Sequence, residues 1–418
     1  MMSKLTAIAL LMGILCMEST AQKSVSEENL LESLMAKDGR NFKKILKKPD
    51  DFEVQIIYTQ IDRDVNNNPS FTSHYYNFDK DQYFYPASTV KMPIAFLALE
   101  RLNELGLSRQ LFMATDSAYS GQTAMKKDPS APAGMPTVEQ YIKKIFVVSD
   151  NDAYNRLYEF LGQEYIIKKL NEKGYSNTRI IHRLSIPLSE DENRHTNPVH
   201  FTDATGKLIY DQPMQVYAGD LNLNGTIKRG KGYIKGEELI KESMDFTRKN
   251  FLPLDEMQLM LRAVLFPETT PATSQFSLDK DQLSFLYQYM SQLPGETTHP
   301  SYPSPEYYDA YSKFLLYGSD KNAEIPGHIR IFNKIGLAYG FAIDNAYIVD
   351  FENNKEFLLS AVIHTNKNKI YNDGEYEYEE IAFPFLRNLG RLVYQYELER
   401  PRENEPDLSR FKVIYDMN

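Results

Sequence analysis

Apolar residues recur along the chain with two periods, and the switches between them predict the architecture. Leu30, Leu31, Leu34, Phe42 and Ile45 share a helical face over 26–47, with Gly39 as an interruption. Alternation at Val54, Ile56 and Tyr58 predicts a strand over 52–61, which Asn66-Asn67-Asn68-Pro69 turns back into a partner over 70–78. Helical spacing resumes over 88–104 (Met92, Ala95, Phe96, Leu99, Leu102) and over 137–147, 152–161 and 164–173, the last closed by Gly174. Beyond residue 205 the pattern blurs. There 208–210 and 214–217 read as extended, 228–236 as a loop, and 236–248, 254–265, 279–292 and 305–316 as helices. Three strands follow at 328–334, 339–350 and 357–365, with turns at Leu337-Ala338 and Glu352-Asn353-Asn354, and a closing helix covers 377–397.

Strands at both ends with helices between them predict an α/β (α+β) fold. Its antiparallel sheet is built from both chain ends, has flanking helices, and accepts an inserted all-α domain. The expected division is a leader at 1–21, a helical segment at 22–50, a sheet domain at 51–87 and 320–398, a helical domain at 88–205, an enlarged insertion at 206–319 and a tail at 399–418.

Lys4, the apolar run Leu5 to Met17 and the small residues Ser19 and Ala21 predict a secretory signal cut after Ala21. The run is too short to span a bilayer comfortably. Export to the periplasm or the outside of the cell is therefore expected. Cleavage removes Lys4, Glu18 and Cys16, which leaves the net charge at −10 and no cysteine. A disulfide framework and cysteine catalysis are thereby excluded from the mature chain. The balance of 47 Lys+Arg against 57 Asp+Glu argues against a nucleic-acid partner, since phosphate affinity needs basic clusters. The seven histidines show no paired metal spacing, and no glycine-rich phosphate loop follows a strand, so neither metal nor cofactor is expected.

Three short motifs carry candidate chemistry. Ser88 and Lys91, in Tyr85-Pro86-Ala87-Ser88-Thr89-Val90-Lys91, lie one helical turn apart and point to the same side. A serine hydroxyl becomes a nucleophile when a neighbour takes its proton, and a desolvated lysine can do so. Taken alone Ser88 could be a helix cap, and Ser277-Leu278-Asp279-Lys280 repeats the spacing. Ser149-Asp150-Asn151 falls between two helices, where it could present a hydroxyl and an amide to a cleft or simply cap a helix. Lys334-Ile335-Gly336 ends a strand, where Lys334 supplies positive charge and Gly336 would let a substrate backbone approach. All three occur in the order SxxK, SDN, KxG and in the contexts such chemistry requires.

The combination resembles the class A β-lactamase and penicillin-binding-protein family of active-site serine hydrolases. The similarity extends through Ser149 to Gly162, Thr178-Arg179-Ile180, Arg194-His195-Thr196-Asn197-Pro198 and the strands beyond Gly336 with Tyr339-Gly340 and Asn345, covering about 52–205 and 320–398. The resemblance implies that Ser88 is the acylated nucleophile, Lys91 its base or proton relay, and Ser149 the proton donor to the leaving nitrogen. It further implies that Asn151 holds a side-chain amide of the substrate, Lys334 attracts its carboxylate, and the amides of Ser88 and Leu337 form an oxyanion hole.

Two departures stand out. The family's deacylating glutamate falls on Leu184, within Ile181-His182-Arg183-Leu184-Ser185, and the nearby Glu190, Asp191 and Glu192 read as a solvated acidic loop. Ile335 replaces the hydroxyl residue of KTG, with Arg330 on the same strand face as Lys334 as the one compensating candidate. Expected functions are a secreted serine hydrolase opening β-lactams with slow deacylation, a D-Ala-D-Ala-type peptidase or esterase, or a catalytically weak protein that binds wall fragments. A monomer acting on a small-molecule or peptidoglycan-like peptide substrate is expected.

Overall fold

The computed structural model describes residues 29–221, 223 and 225–416. The expected leader at 1–21 lies outside these residues. Both chain ends build one five-stranded antiparallel sheet, in the order Ile329–Ala338, Phe341–Asp350, Lys355–His364, Gln55–Arg63, Pro69–Tyr76. The strand Gln55–Arg63 enters between its own hairpin neighbour and a strand from near the other chain end, with Ile56 opposite Tyr76 and Gln55 opposite Val362.

Alternation along the strands separates two cores. Ile56 and Tyr58 face one that also holds Leu31, Phe42, Leu386 and Val393. That core lies under the short helices Leu30–Lys37, Gly39–Lys47 and Pro49–Phe52 and the closing helix Phe383–Glu399. Ile57 and Ile61 face the other, shared with the helices Lys91–Leu105, Val138–Val147 and Asn151–Glu172. Lys91–Leu105 is buried nearly all round, which explains why its apolar positions exceed one stripe. The expected helices at 152–161 and 164–173 are one run broken at Gly162, whose φ of 73° is non-helical.

The sheet-and-helix plan agrees with the sequence reading, and several details differ. Residues 236–248 form strands and not a helix. Glu238–Ile240 pairs back onto Gly232–Lys235 across a turn at Gly236, and Met244–Asp245 pairs with Lys228–Arg229. Residues 305–316 hold only a short 3-10 turn, Asp309–Ser312. The amides of Phe314 and Leu315 bond to the Asp344 carboxylate at 3.0 and 2.9 Å, and not to carbonyls one turn back. The segment 88–205 also carries strands, since Phe112–Thr115, Val199–Thr202 and Leu208–Gln212 form a small sheet. The expected turn at Leu337-Ala338 moves to Tyr339-Gly340, whose φ values of 54° and 82° suit a two-residue hairpin. The tail is packed down: Phe411 is buried against Phe266, Phe332 and Tyr347.

Candidate functional site

Ser88 sits in a 3-10 turn, Ala87–Val90, that runs straight into the helix starting at Lys91. Ala87 adopts φ 48°, a left-handed conformation costly for a residue with a Cβ and often found where a side chain must be aimed. Thr89 Oγ1 ties the turn by bonding to Pro86 O at 2.7 Å. The turn packs on Gly336, where an added Cβ would stand 2.7 Å from Pro86 O, 3.0 Å from Thr89 Cγ2 and 3.3 Å from Ala87 Cβ. The missing side chain of Gly336 admits the turn that carries Ser88.

The second motif closes on the first. Ser149 has φ 60°, and Asp150 caps the next helix through a 2.8 Å bond from Ala153 N, so Asp150 is capping as read. Lys91 Nζ donates to Ser149 O, and lies 2.7 Å from Asn151 Oδ1 and 3.3 Å from Ser149 Oγ. The third motif arrives from the sheet edge, with Lys334 Nζ 2.7 Å from Ser149 Oγ and 3.0 Å from Ile335 O. Residues 185 positions apart in sequence thus touch through their side chains. Ser88 is half-buried. Leu337 lies on the edge strand with its side chain exposed.

Burial sets the electrostatics. Desolvation lowers Lys91 to about 7, against an opposing pull from Asp150. It lowers Lys334 well below the usual lysine range, with Lys91 and Lys313 adding repulsion and Asp344 opposing. Lys313 was not singled out in the sequence. It is fully buried and donates to Met290 O, Ile331 O and Asn333 Oδ1 at 3.0, 2.8 and 2.6 Å. Asn333 Nδ2 in turn donates to Asp344 Oδ1 at 2.8 Å. Burial pulls the Lys313 ammonium down and pushes the Asp344 carboxyl up. An aspartate inside the apolar run Phe341-Ala342-Ile343-Asp344 is the signal that could have revealed this cluster.

The loop of residues 178–197 is held from within. Asn155 Nδ2 donates to Leu184 O at 3.0 Å and Leu184 N donates to Asn155 Oδ1 at 2.8 Å, so the Leu184 backbone is pinned while its side chain is 5% exposed. Glu159 bridges Arg183 at 3.0 Å and Arg156 at 3.1 Å. Glu190, Asp191 and Glu192 form the first turn of the short helix Glu190–Arg194, capped by Ser189. Arg330 cannot compensate for Ile335, because both its terminal nitrogens are taken by Glu296 at 2.9 and 2.8 Å. Ile335 itself is buried with Ile331 and Ala342 in the core under the closing helix, on the other sheet face from Lys91–Leu105.

Among the described residues no group of three or more His, Cys, Asp or Glu is arranged to hold a metal ion. In overall shape the chain is similar to a β-lactamase from Sphaerobacter thermophilus DSM 20745 (TM-score 0.46, 12% identity, 87% of this chain and 99% of that one). It is also similar to a class A β-lactamase from Clostridium kluyveri DSM 555 (TM-score 0.44, 15%, 86% and 98%) and to a β-lactamase from Xanthomonas campestris pv. campestris (TM-score 0.45, 15%, 88% and 99%). No curated protein sequence matches the chain. Residues 40–219 match the model of the β-lactamase enzyme family, a stretch that ends before Lys334. The matched stretch includes Ser88, Lys91, Ser149 and Asn151.

Proposed function

We propose that the chain is an exported serine hydrolase of β-lactamase type, acylated at Ser88. The observation that carries this reading is Lys91, a fully buried amine one turn from Ser88 and bonded into the Ser149-Asp150-Asn151 loop. An amine lowered to about 7 is deprotonated often enough at neutral pH to act as a base. Ser88 Oγ attacks the acyl carbon as Lys91 takes its proton. The backbone amides of Ser88 and Leu337 stabilise the oxyanion. The carbon–nitrogen bond then breaks, Ser149 protonates the leaving nitrogen, and Lys91, 3.3 Å from Ser149 Oγ, passes it the proton taken from Ser88.

Leu184 supplies no carboxylate to activate water, so the acyl-enzyme is long-lived. This favours a second use of the same chemistry, that of a D-Ala-D-Ala-type peptidase or an esterase. Mass spectrometry after addition of a penicillin separates the readings. A stable adduct on Ser88 supports the peptidase or esterase, rapid turnover supports the β-lactamase, and no adduct with either a penicillin or an activated ester leaves a binding protein. Nitrocefin hydrolysis by Ser88→Ala would remove the nucleophile assignment. Export is tested by locating the processed chain after cell fractionation, with cleavage expected near Ala21.

A further inference from the structure

A cavity of about 340 Å³ lies between the loop of residues 178–197 and the segment Asp245–Lys249 of the insertion. Pockets that hold small organic ligands begin at about 300 Å³. Ile186, Pro187, Leu188 and Leu221 give this cavity apolar walls, and Lys249 gives it an amine.

The chain on both sides of that lysine is fixed. Lys249 N donates to Phe246 O at 3.0 Å, and Asn250 Oδ1 accepts from Ile181 N and His182 N at 2.8 and 3.2 Å. Phe251 then pairs with Arg179 through two backbone bonds of 2.8 and 2.7 Å. The Lys249 side chain is half-buried, yet among the described residues it makes no hydrogen bond and no ion pair. A partly desolvated amine without a partner is costly until an anion meets it.

The other charged groups on the wall are already engaged. Arg183 binds Glu159 at 3.0 Å and the carbonyls of Glu192 and His195 at 3.1 and 2.9 Å. Glu190 is shared by Arg194 and Arg248, and Asp245 accepts from Thr247 N at 2.7 Å. Burial lowers His182 to about 4 and Lys249 adds to the fall, so this ring is neutral at pH 7.

We infer that the cavity is a binding site for a small organic monocarboxylate, its carboxylate paired with Lys249 and its apolar body against Ile186, Pro187, Leu188 and Leu221. One unpaired cation answers one negative charge. A dianion such as phosphate would leave its second charge unbalanced beside Glu190 and Asp245, and would leave the apolar walls uncovered. The bound acid joins the loop that carries Leu184 to the insertion, because the walls and the amine come from different segments of the chain. The site stands whether or not Ser88 is the nucleophile.

Calorimetric titration of the intact chain with phenylacetate, its neutral isostere phenylacetamide and inorganic phosphate tests this. Phenylacetate should bind about tenfold more tightly than the amide, the difference made by one charge-assisted contact, and more tightly than phosphate. In Lys249→Gln the acid and the amide should bind within about twofold of each other. Equal affinities in the unaltered chain, or no binding of either, overturn the inference. So does a tenfold preference that survives in a folded Lys249→Gln protein, since the carboxylate then sits elsewhere. Phosphate that binds as tightly as phenylacetate overturns the part given to the apolar walls.

Discussion

Gly336 and Pro86 stand so close that a single methyl group on the glycine would lie 2.7 Å from the proline carbonyl oxygen. The sheet edge and the nucleophile turn are therefore fitted to each other directly. Gly336→Ala should push the Pro86–Thr89 turn away from the strand. We expect a loss of about 1–3 kcal/mol of stability from overpacking and a fall in acylation rate of about 10- to 100-fold from misplacement of Ser88. Urea unfolding and single-turnover acylation measure the two effects. A variant with wild-type acylation would show that the turn tolerates displacement.

Lys91 is held near neutrality by burial, and only its unprotonated form can take a proton from Ser88. Acylation by an activated ester should consequently rise with pH through about 7 and level off above it. At lower pH Lys91 is increasingly protonated and the rate falls. A rate independent of pH across this range would mean that another group is the base. Lys91→Arg, which stays charged, should abolish acylation throughout.

Leu184 occupies a pinned backbone position with a buried side chain. Leu184→Glu should shorten the lifetime of the Ser88 adduct by placing a carboxylate where water can be activated. Burying that carboxylate should cost stability, so the melting temperature should fall. Adduct lifetime followed by mass spectrometry decides the matter, and no change would show that this position does not face the acyl group.

Glu159 is buried between two guanidinium groups, Arg156 and Arg183, the second of which also donates to Glu192 O and His195 O. Burial raises its carboxyl pKa despite both cations. Glu159→Ala leaves two buried arginines without their shared partner and should cost about 3–5 kcal/mol. Equilibrium unfolding in urea gives the number. A loss well under this range would show that the loop of residues 178–197 is held mainly by Asn155 and the backbone.

The sheet, its order of use from both chain ends and the helices of the serine domain were legible because they carry clean periods. Alternation at Ile56 and Tyr58 and helical spacing from Met92 to Leu102 report burial directly. The region 236–248 misled because its charged and apolar residues are spaced as on a helix, while Gly236 and partners at Lys228–Arg229 and Gly232–Lys235 draw it into strands. Such pairing is decided by residues outside the local window. In the site, the three motifs could be read because each is short. Of Lys313, Asn333 and Asp344 only the aspartate in its apolar run left a signal, since the three come from separate segments and meet only through packing. The contact of Gly336 with Pro86 could not be read for the same reason, because the two are far apart in the chain.

The pairing of Gln55–Gln60 with Phe357–Val362 has a consequence for how the molecule is made. During synthesis the first strand emerges early and waits for nearly the whole chain before its inner neighbour exists. The Ser88 turn likewise has no floor until the segment around Gly336 has been made. Even then Phe411, among the last residues described, still has to fill the gap between Phe266, Phe332 and Tyr347. Contacts of such long sequence separation fold slowly and late. A chain released before Lys355–His364 would carry all three motifs and lack the strand that joins Gln55–Arg63 to Phe341–Asp350, so the site depends on a segment that holds none of them.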